Sequence, residues 1–363
     1  MGEIQFHHGG NLAAAARRYG FKPEQFLDFS ANINPLGMSP RAREAIRQNL
    51  AAVEAYPDPE CRELKDTVAA YLNVPAANLL PGNGTAELIF LLLRQLRPRR
   101  GLVPAPTFSE YARALASAGA PVEYLYLNRE KGFRPEPEKI AAALGEGDIL
   151  FLCNPNNPTG TLLAREEIVF ILNEAERRGA FVVVDEAFMD FLDRRACFSV
   201  VPEILSRTNL FVLYSLTKFF ALPGLRLGIG IGPVSLIEDL CRHKDPWNVN
   251  ALAQIAGVYS LQDTDYIRRT RELLAKEKQF LYRELSRLPG FKPWPPTANY
   301  IFIDISASGF TSPKLCDLLG QRGILIRDCS NYPGLNEYYI RVAVKDRAAN
   351  EKLLHELKEI LEV

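Results

Sequence analysis

Six short apolar runs constrain this chain more than any other feature. They are GLVPA (101–105), VEYLYL (122–127), DILFLC (148–153), FVVVDEA (181–187), LFVLYSL (210–216) and RLGIGIG (226–232). Most lack the in–out alternation of a strand with one wet face. Helical patterns lie between or beside them, among them TAELIFLLLRQL (85–96) and REEIVFILNEAERRG (165–179). Strands that are apolar on both faces and alternate with helices form a mostly parallel sheet covered on both sides. The expected fold class is therefore α/β.

The flanks read differently. Residues 1–35 look like an N-terminal arm: the loop HHGGN, a short helix LAAAARRYG ending at Gly20, and an extended stretch FLDFSANINPLG that runs into a turn. Residues 36–250 form the large α/β domain. Residues 251–363 form a small α+β domain, with the arm packed on it. This last part opens with an amphipathic helix over 263–288, broken or continuous. It then offers strands ANYIFIDI, ILIR and YYIRVAV and a terminal helix. At 363 residues and 47% hydrophobic, the chain can bury two such cores.

Charge and cysteine usage narrow the class. Lys+Arg and Asp+Glu both number 43, with no basic stripe, so neither nucleic acid nor a membrane surface is expected as a partner. The six cysteines are scattered without a CxxC pair, which suits a reducing compartment and predicts neither disulfides nor a metal site. No stretch approaches the roughly 18 apolar residues of a membrane span. The N-terminal residues lack the apolar run of a signal peptide. A soluble, cytoplasmic protein is the expectation.

Chemistry concentrates where the strands end. FLCNPNNPTG (151–160), FVVVDEAFMDF (181–191) and SLTKFFALPGLRLG (215–228) carry Asn157, Asp185 and Lys218 just past three apolar runs. Ligands of open α/β sheets bind at the C-terminal strand edge. Taken singly, Lys218 would be a surface lysine, Asp185 a strand-end turn residue and Asn157 a turn former. Together they supply an amine able to condense with an aldehyde and a carboxylate able to keep a pyridine nitrogen protonated. Those are the protein's contributions to pyridoxal phosphate chemistry. The phosphate would sit at the start of the helix after PGNG, near Gly84, Thr85 and Ala86. Ser215, Thr217 and Arg226 would add hydroxyls and a guanidinium.

SLTKFFALPGLRLG, NPNNPTG, DEAF and GNGTAE, in their order and spacing, resemble the fold-type I pyridoxal-phosphate enzymes close to histidinol-phosphate aminotransferases. The resemblance covers essentially the whole chain. It implies pyridoxal 5′-phosphate as cofactor, Lys218 and Asp185 as catalytic residues, Asn157 on the cofactor's phenolic oxygen and Phe108 stacked on its ring. It also implies a homodimer in which Tyr56, in AYPDPE, reaches the neighbouring subunit's cofactor phosphate. Many such relatives read DEAY. Here Phe188 takes the tyrosine's place and has no hydroxyl for the phenolic oxygen.

With this cofactor the bond that breaks is the one held perpendicular to the ring, so the substrate-holding groups choose between transamination and decarboxylation. Arg327 and Arg341 are the candidates, because a guanidinium in an apolar strand is costly without an anion. Two of them suit an amino acid that carries both carboxylate and phosphate. LDFSANINPLG, AYPDPE, PWNVNALA, IRDCSNYPGL and Phe188 resemble the threonine-phosphate decarboxylase branch of the family. That resemblance implies decarboxylation of O-phospho-L-threonine for cobalamin synthesis, in a pocket lined by His8, Gly9, Asn32, Asn157, Arg327 and Arg341. Which arginine takes the phosphate stays open. The alternative is a histidinol-phosphate or aromatic aminotransferase, which would share every cofactor residue. A ligand-sensing regulator on the same fold would need a DNA-binding domain, and the arm is too short for one.

Overall fold

The computed structural model describes residues 8–362. Thirteen strands follow in chain order: β1 (Leu27–Asp28), β2 (Leu79–Asn83), β3 (Arg100–Ala105), β4 (Val122–Tyr126), β5 (Asp148–Cys153), β6 (Phe181–Asp185), β7 (Leu210–Ser215), β8 (Leu227–Ile231), β9 (Lys292–Pro293), β10 (Tyr300–Asp304), β11 (Ile324–Leu325), β12 (Arg327–Asp328) and β13 (Tyr339–Ala343). Seven make the central sheet, in the order β2-β8-β7-β6-β5-β3-β4. From β7 to β4 every pairing is parallel, and β8 runs antiparallel to both its neighbours.

The absence of alternation has a direct cause. Successive residues of β5, β6 and β7 point to opposite faces, and each face meets its own core. Leu150, Leu152, Val182, Val184 and Val212 join one apolar cluster, whereas Ile149, Phe151, Val183, Phe211 and Leu213 join the other. Helices Gly84–Leu96 and Arg165–Arg177 supply opposite sides of that cover: Leu88 and Ile89 lie in the second cluster, Ile168 and Ile171 in the first. Each fully buried leucine or valine contributes about 1.5–3 kcal/mol.

All six predicted runs are strands, and the sheet holds one more. β2 is not among the expected strands: its sequence LLPGN carries a proline and a glycine, which mask a strand. Pro81 is tolerated there because β2 is an edge strand, where a missing N–H costs no ladder bond on the open side. The long helix is continuous over Thr264–Leu285, opened by Asp263, whose side chain accepts from the Tyr266 amide.

The later strands form an antiparallel sheet, β12-β13-β10-β9. ILIR, expected as one strand, divides between two partners. Ile324–Leu325 pair in parallel with β1 of the arm, while Arg327–Asp328 pair with β13. The arm is thus stitched to the segment that carries Arg327. No helix among the described residues is long and apolar enough to cross a membrane.

Candidate active site

β5, β6 and β7 are parallel neighbours, so their C-terminal ends share one edge of the sheet. Asp185 is the last residue of β6, Asn157 lies four residues beyond β5, and Lys218 three beyond β7. All three line a cavity of about 360 Å³, together with Thr85, Ala86, Phe108, Ser215, Thr217 and Arg226. His8, Gly9, Asn32, Arg327 and Arg341 line the same cavity from the other side. Gly84 is not in the lining but packs against Arg226, whose Nη2 would lie 2.7 Å from a Cβ at position 84. Tyr56 lies outside its own chain's cavity, 79% exposed and stacked on Trp247 at 4.4 Å.

Each group on the floor is held by the strand ends. The Asp185 carboxylate accepts from the Tyr111 hydroxyl at 2.6 Å on one oxygen and from the Ala187 amide at 2.9 Å on the other. Burial pushes its pKa up, against the pull of those two bonds and of Lys218. Desolvation pushes the Lys218 amine down to about 8, helped by Arg341 and Arg226 and opposed by Asp185 and Asp28. Near pH 8 a far larger share of this amine is therefore neutral and nucleophilic than of an ordinary lysine. Ser215 and Thr217 hydroxyls lie 2.8 Å apart beside it. Asn156 fixes the loop that presents Asn157, donating to the Pro106 carbonyl and accepting from Thr107.

The helix Gly84–Leu96 begins at this floor. Its N-cap Asn83 makes no side-chain bond to the helix, so no side-chain cap competes for the first amides. Gly228 of β8 admits this helix start: a Cβ there would meet the Thr85 nitrogen at 2.5 Å. A helix start, two hydroxyls and Arg226 make a seat for a phosphate, with an amine and a buried carboxylate beside it. The donor set fits an aldehyde-bearing pyridine phosphate.

The roof comes from the other sheet and the arm. Arg327 and Arg341 are Cα partners across β12 and β13, so both side chains leave the same face. Both are buried, at 8% and 5% exposure. Arg341 donates to the Asn157 side-chain oxygen and, at 2.8 Å, to the Ser30 carbonyl. Arg327 donates to the Asn331 side chain at 2.9 Å and stacks over the Tyr332 ring. Neither forms an ion pair with a carboxylate among the described residues; every partner is neutral. The Arg341 Nε and the Asn32 Oδ1 are buried without a hydrogen-bond partner. His8 bonds Glu110 across the cavity mouth at 2.8 Å, which holds that carboxyl below its ordinary range.

Phe108 stands edge-on to Tyr111 at 5.5 Å. Phe188 lines the cavity and meets Tyr300 edge-on at 5.0 Å. Sequence reasoning missed Tyr111, Glu110, Tyr332 and Ser30. Tyr111 lies three residues after Phe108 in TFSEY, the one available signal, but a tyrosine in a helix reads as core.

Comparison with known proteins identifies the family. A threonine-phosphate decarboxylase of Salmonella typhimurium is 40% identical over 98% of this chain and 96% of its own. Among solved structures, the histidinol-phosphate aminotransferase of Clostridium acetobutylicum superposes with a TM-score of 0.86 at 31% identity, covering 92% of this chain and 98% of that one. The L-threonine-O-3-phosphate decarboxylase of Porphyromonas gingivalis does so at 0.81 and 27%, covering 92% of this chain and 99% of that one. The family model described as aminotransferase class I and II matches residues 24–357. The chain belongs to that family of fold-type I enzymes, and its cofactor is pyridoxal 5′-phosphate.

Proposed function

We propose that the protein decarboxylates O-phospho-L-threonine to (R)-1-amino-2-propanol O-2-phosphate, the aminopropanol unit of cobalamin. One observation carries the reading: Arg327 and Arg341 are buried, directly opposite each other and without acidic partners. Like charges in directly opposed positions destabilise a sheet unless an anion lies between them. A substrate with a carboxylate and a phosphate meets that demand twice. The 40% identical decarboxylase supports the same choice.

Pyridoxal phosphate, when bound, supplies an aldehyde for the substrate amine and a ring that accepts the electron pair left at Cα. The chain's own residues do the rest. Thr85, Ala86, Ser215, Thr217 and Arg226 hold the cofactor phosphate, and Asp185 holds a proton at the ring nitrogen. The Asn157 Oδ1 is engaged by Arg341, which leaves its Nδ2 to donate to the phenolic oxygen. Arg327 and Arg341 share the substrate's two anionic groups, and His8 and Asn32 close the pocket over them. The Cα–carboxylate bond breaks, CO2 departs, and a proton takes its place at Cα. The Lys218 ammonium delivers that proton and regains one from solvent.

The working unit of this proposal is a cytoplasmic homodimer. Tyr56 and Trp247, with the exposed Leu50, Val53 and Tyr259, form the surface that would meet a second copy and bring Tyr56 to its cofactor phosphate. Histidinol-phosphate transamination is the second reading, favoured by the 31% identical aminotransferase structure. One experiment separates them. Cofactor-loaded protein receives O-phospho-L-threonine without any keto acid, and CO2 and the amine phosphate are followed over many turnovers. Catalytic release supports the decarboxylase. A halt after one equivalent, relieved by 2-oxoglutarate with histidinol phosphate as amino donor, replaces it with the aminotransferase.

A further inference from the structure

The carboxylate of Asp185 has a partner that none of the site motifs announces. Tyr111 is fully buried, its ring stacked on Phe151 at 4.9 Å and 13°, with Phe108 against its edge. This packing fixes the hydroxyl on the Asp185 Oδ2 at 2.6 Å. The other groups facing Asp185 are the Cys153 thiol beside it on β5, the Tyr300 phenol and the Lys218 amine. Burial keeps the thiol and both phenols protonated, so Tyr111 is a permanent donor.

A carboxylate facing a pyridine nitrogen in a dry site can keep the shared proton or leave it on nitrogen. Every hydrogen bond donated to the carboxylate lowers its proton affinity and favours the second state. We propose that Tyr111 is a positioning residue that holds the proton on the cofactor's ring nitrogen by donating to Asp185. The inference rests on the pyridoxal phosphate assignment but not on the identity of the substrate. The tyrosine's aromatic packing is separable from this role, because phenylalanine keeps the ring and loses only the hydroxyl.

The test uses the loaded enzyme with cofactor labelled by ¹⁵N in the ring, read by NMR without substrate. Tyr111→Phe moves the nitrogen resonance toward the unprotonated position, which Asp185→Asn marks. Replacing Tyr111 by 3-fluorotyrosine, a stronger donor of the same shape, moves it in the opposite sense. With substrate, Tyr111→Phe lowers kcat about tenfold while KM changes little, the loss expected for one hydrogen bond to a charged group. An unmoved resonance in both variants, or movement in the same sense, overturns the proposal. If Tyr111→Phe does not retain cofactor, the fluorinated protein alone decides it. The decarboxylation assay can fail without touching this result, so the two readings stand or fall separately.

Discussion

The two sides of the cavity are built on opposite principles. On the floor, the chain itself satisfies the acid: both Asp185 oxygens already have donors, from Tyr111 and Ala187. On the roof, the chain gathers Arg327 and Arg341 face to face and gives them only neutral partners, leaving the Arg341 Nε and the Asn32 Oδ1 with none. A finished floor suits a cofactor that stays. An unfinished roof suits a substrate that arrives with its own charges and leaves.

Four measurements would break or sharpen this contrast. The largest effect belongs to the floor: Lys218→Ala should lower turnover by at least about 10⁴-fold, on the scale of removing a nucleophile. A loss of only tenfold would show that the amine is not essential to turnover. The second effect is pH dependence. An amine with a folded pKa of about 8, against 10.5 unfolded, is mostly protonated below 8 and free above it. The rate of cofactor capture by the apo protein should therefore rise about tenfold per pH unit up to pH 8 and then level off. The linked stability has the same sign. Between pH 8 and 10.5 the unfolded chain binds more protons at this lysine, so its contribution to stability grows as pH rises through that window. A capture rate still climbing at pH 10 would mean that the site does not depress the amine.

For the roof, Arg341→Gln should raise KM for the phosphorylated substrate about 10- to 100-fold, because a hydrogen bond to a charged group is worth about 1.5–3 kcal/mol. Cofactor affinity should fall less, through the Asn157 contact alone. An equal loss of both would erase the distinction between the two sides. The smallest effect is expected at His8, whose side chain is 39% exposed where it bonds Glu110. His8→Ala should cost about fivefold in kcat/KM, roughly 1 kcal/mol.

The floor was legible because each key residue follows its own apolar strand within a few positions. Asn157, Asp185 and Lys218 need only a parallel sheet to become neighbours. The sheet itself was legible for the same reason: runs apolar on both faces have nowhere to go but between two cores. β2 escaped because its proline and glycine read as a turn, and only its place at the edge excuses them. Tyr111 escaped because its spacing fits an ordinary helix and its partner lies 74 residues away. Arg327 and Arg341 were visible one by one, but their opposition depends on the register of β12 against β13 and on the division of ILIR between two sheets. No local pattern encodes that register.

That division has a consequence for how the enzyme is made. The last strand of the floor ends at Ile231, but the roof joins an arm near the start of the chain to strands that end at Ala343. A ribosome delivers His8 first and Arg341 more than three hundred residues later. The order of synthesis therefore supplies every floor residue well before the roof that is proposed to receive the substrate. With the substrate site as proposed, selectivity is the last property the growing chain acquires, because the roof joins segments more than three hundred residues apart.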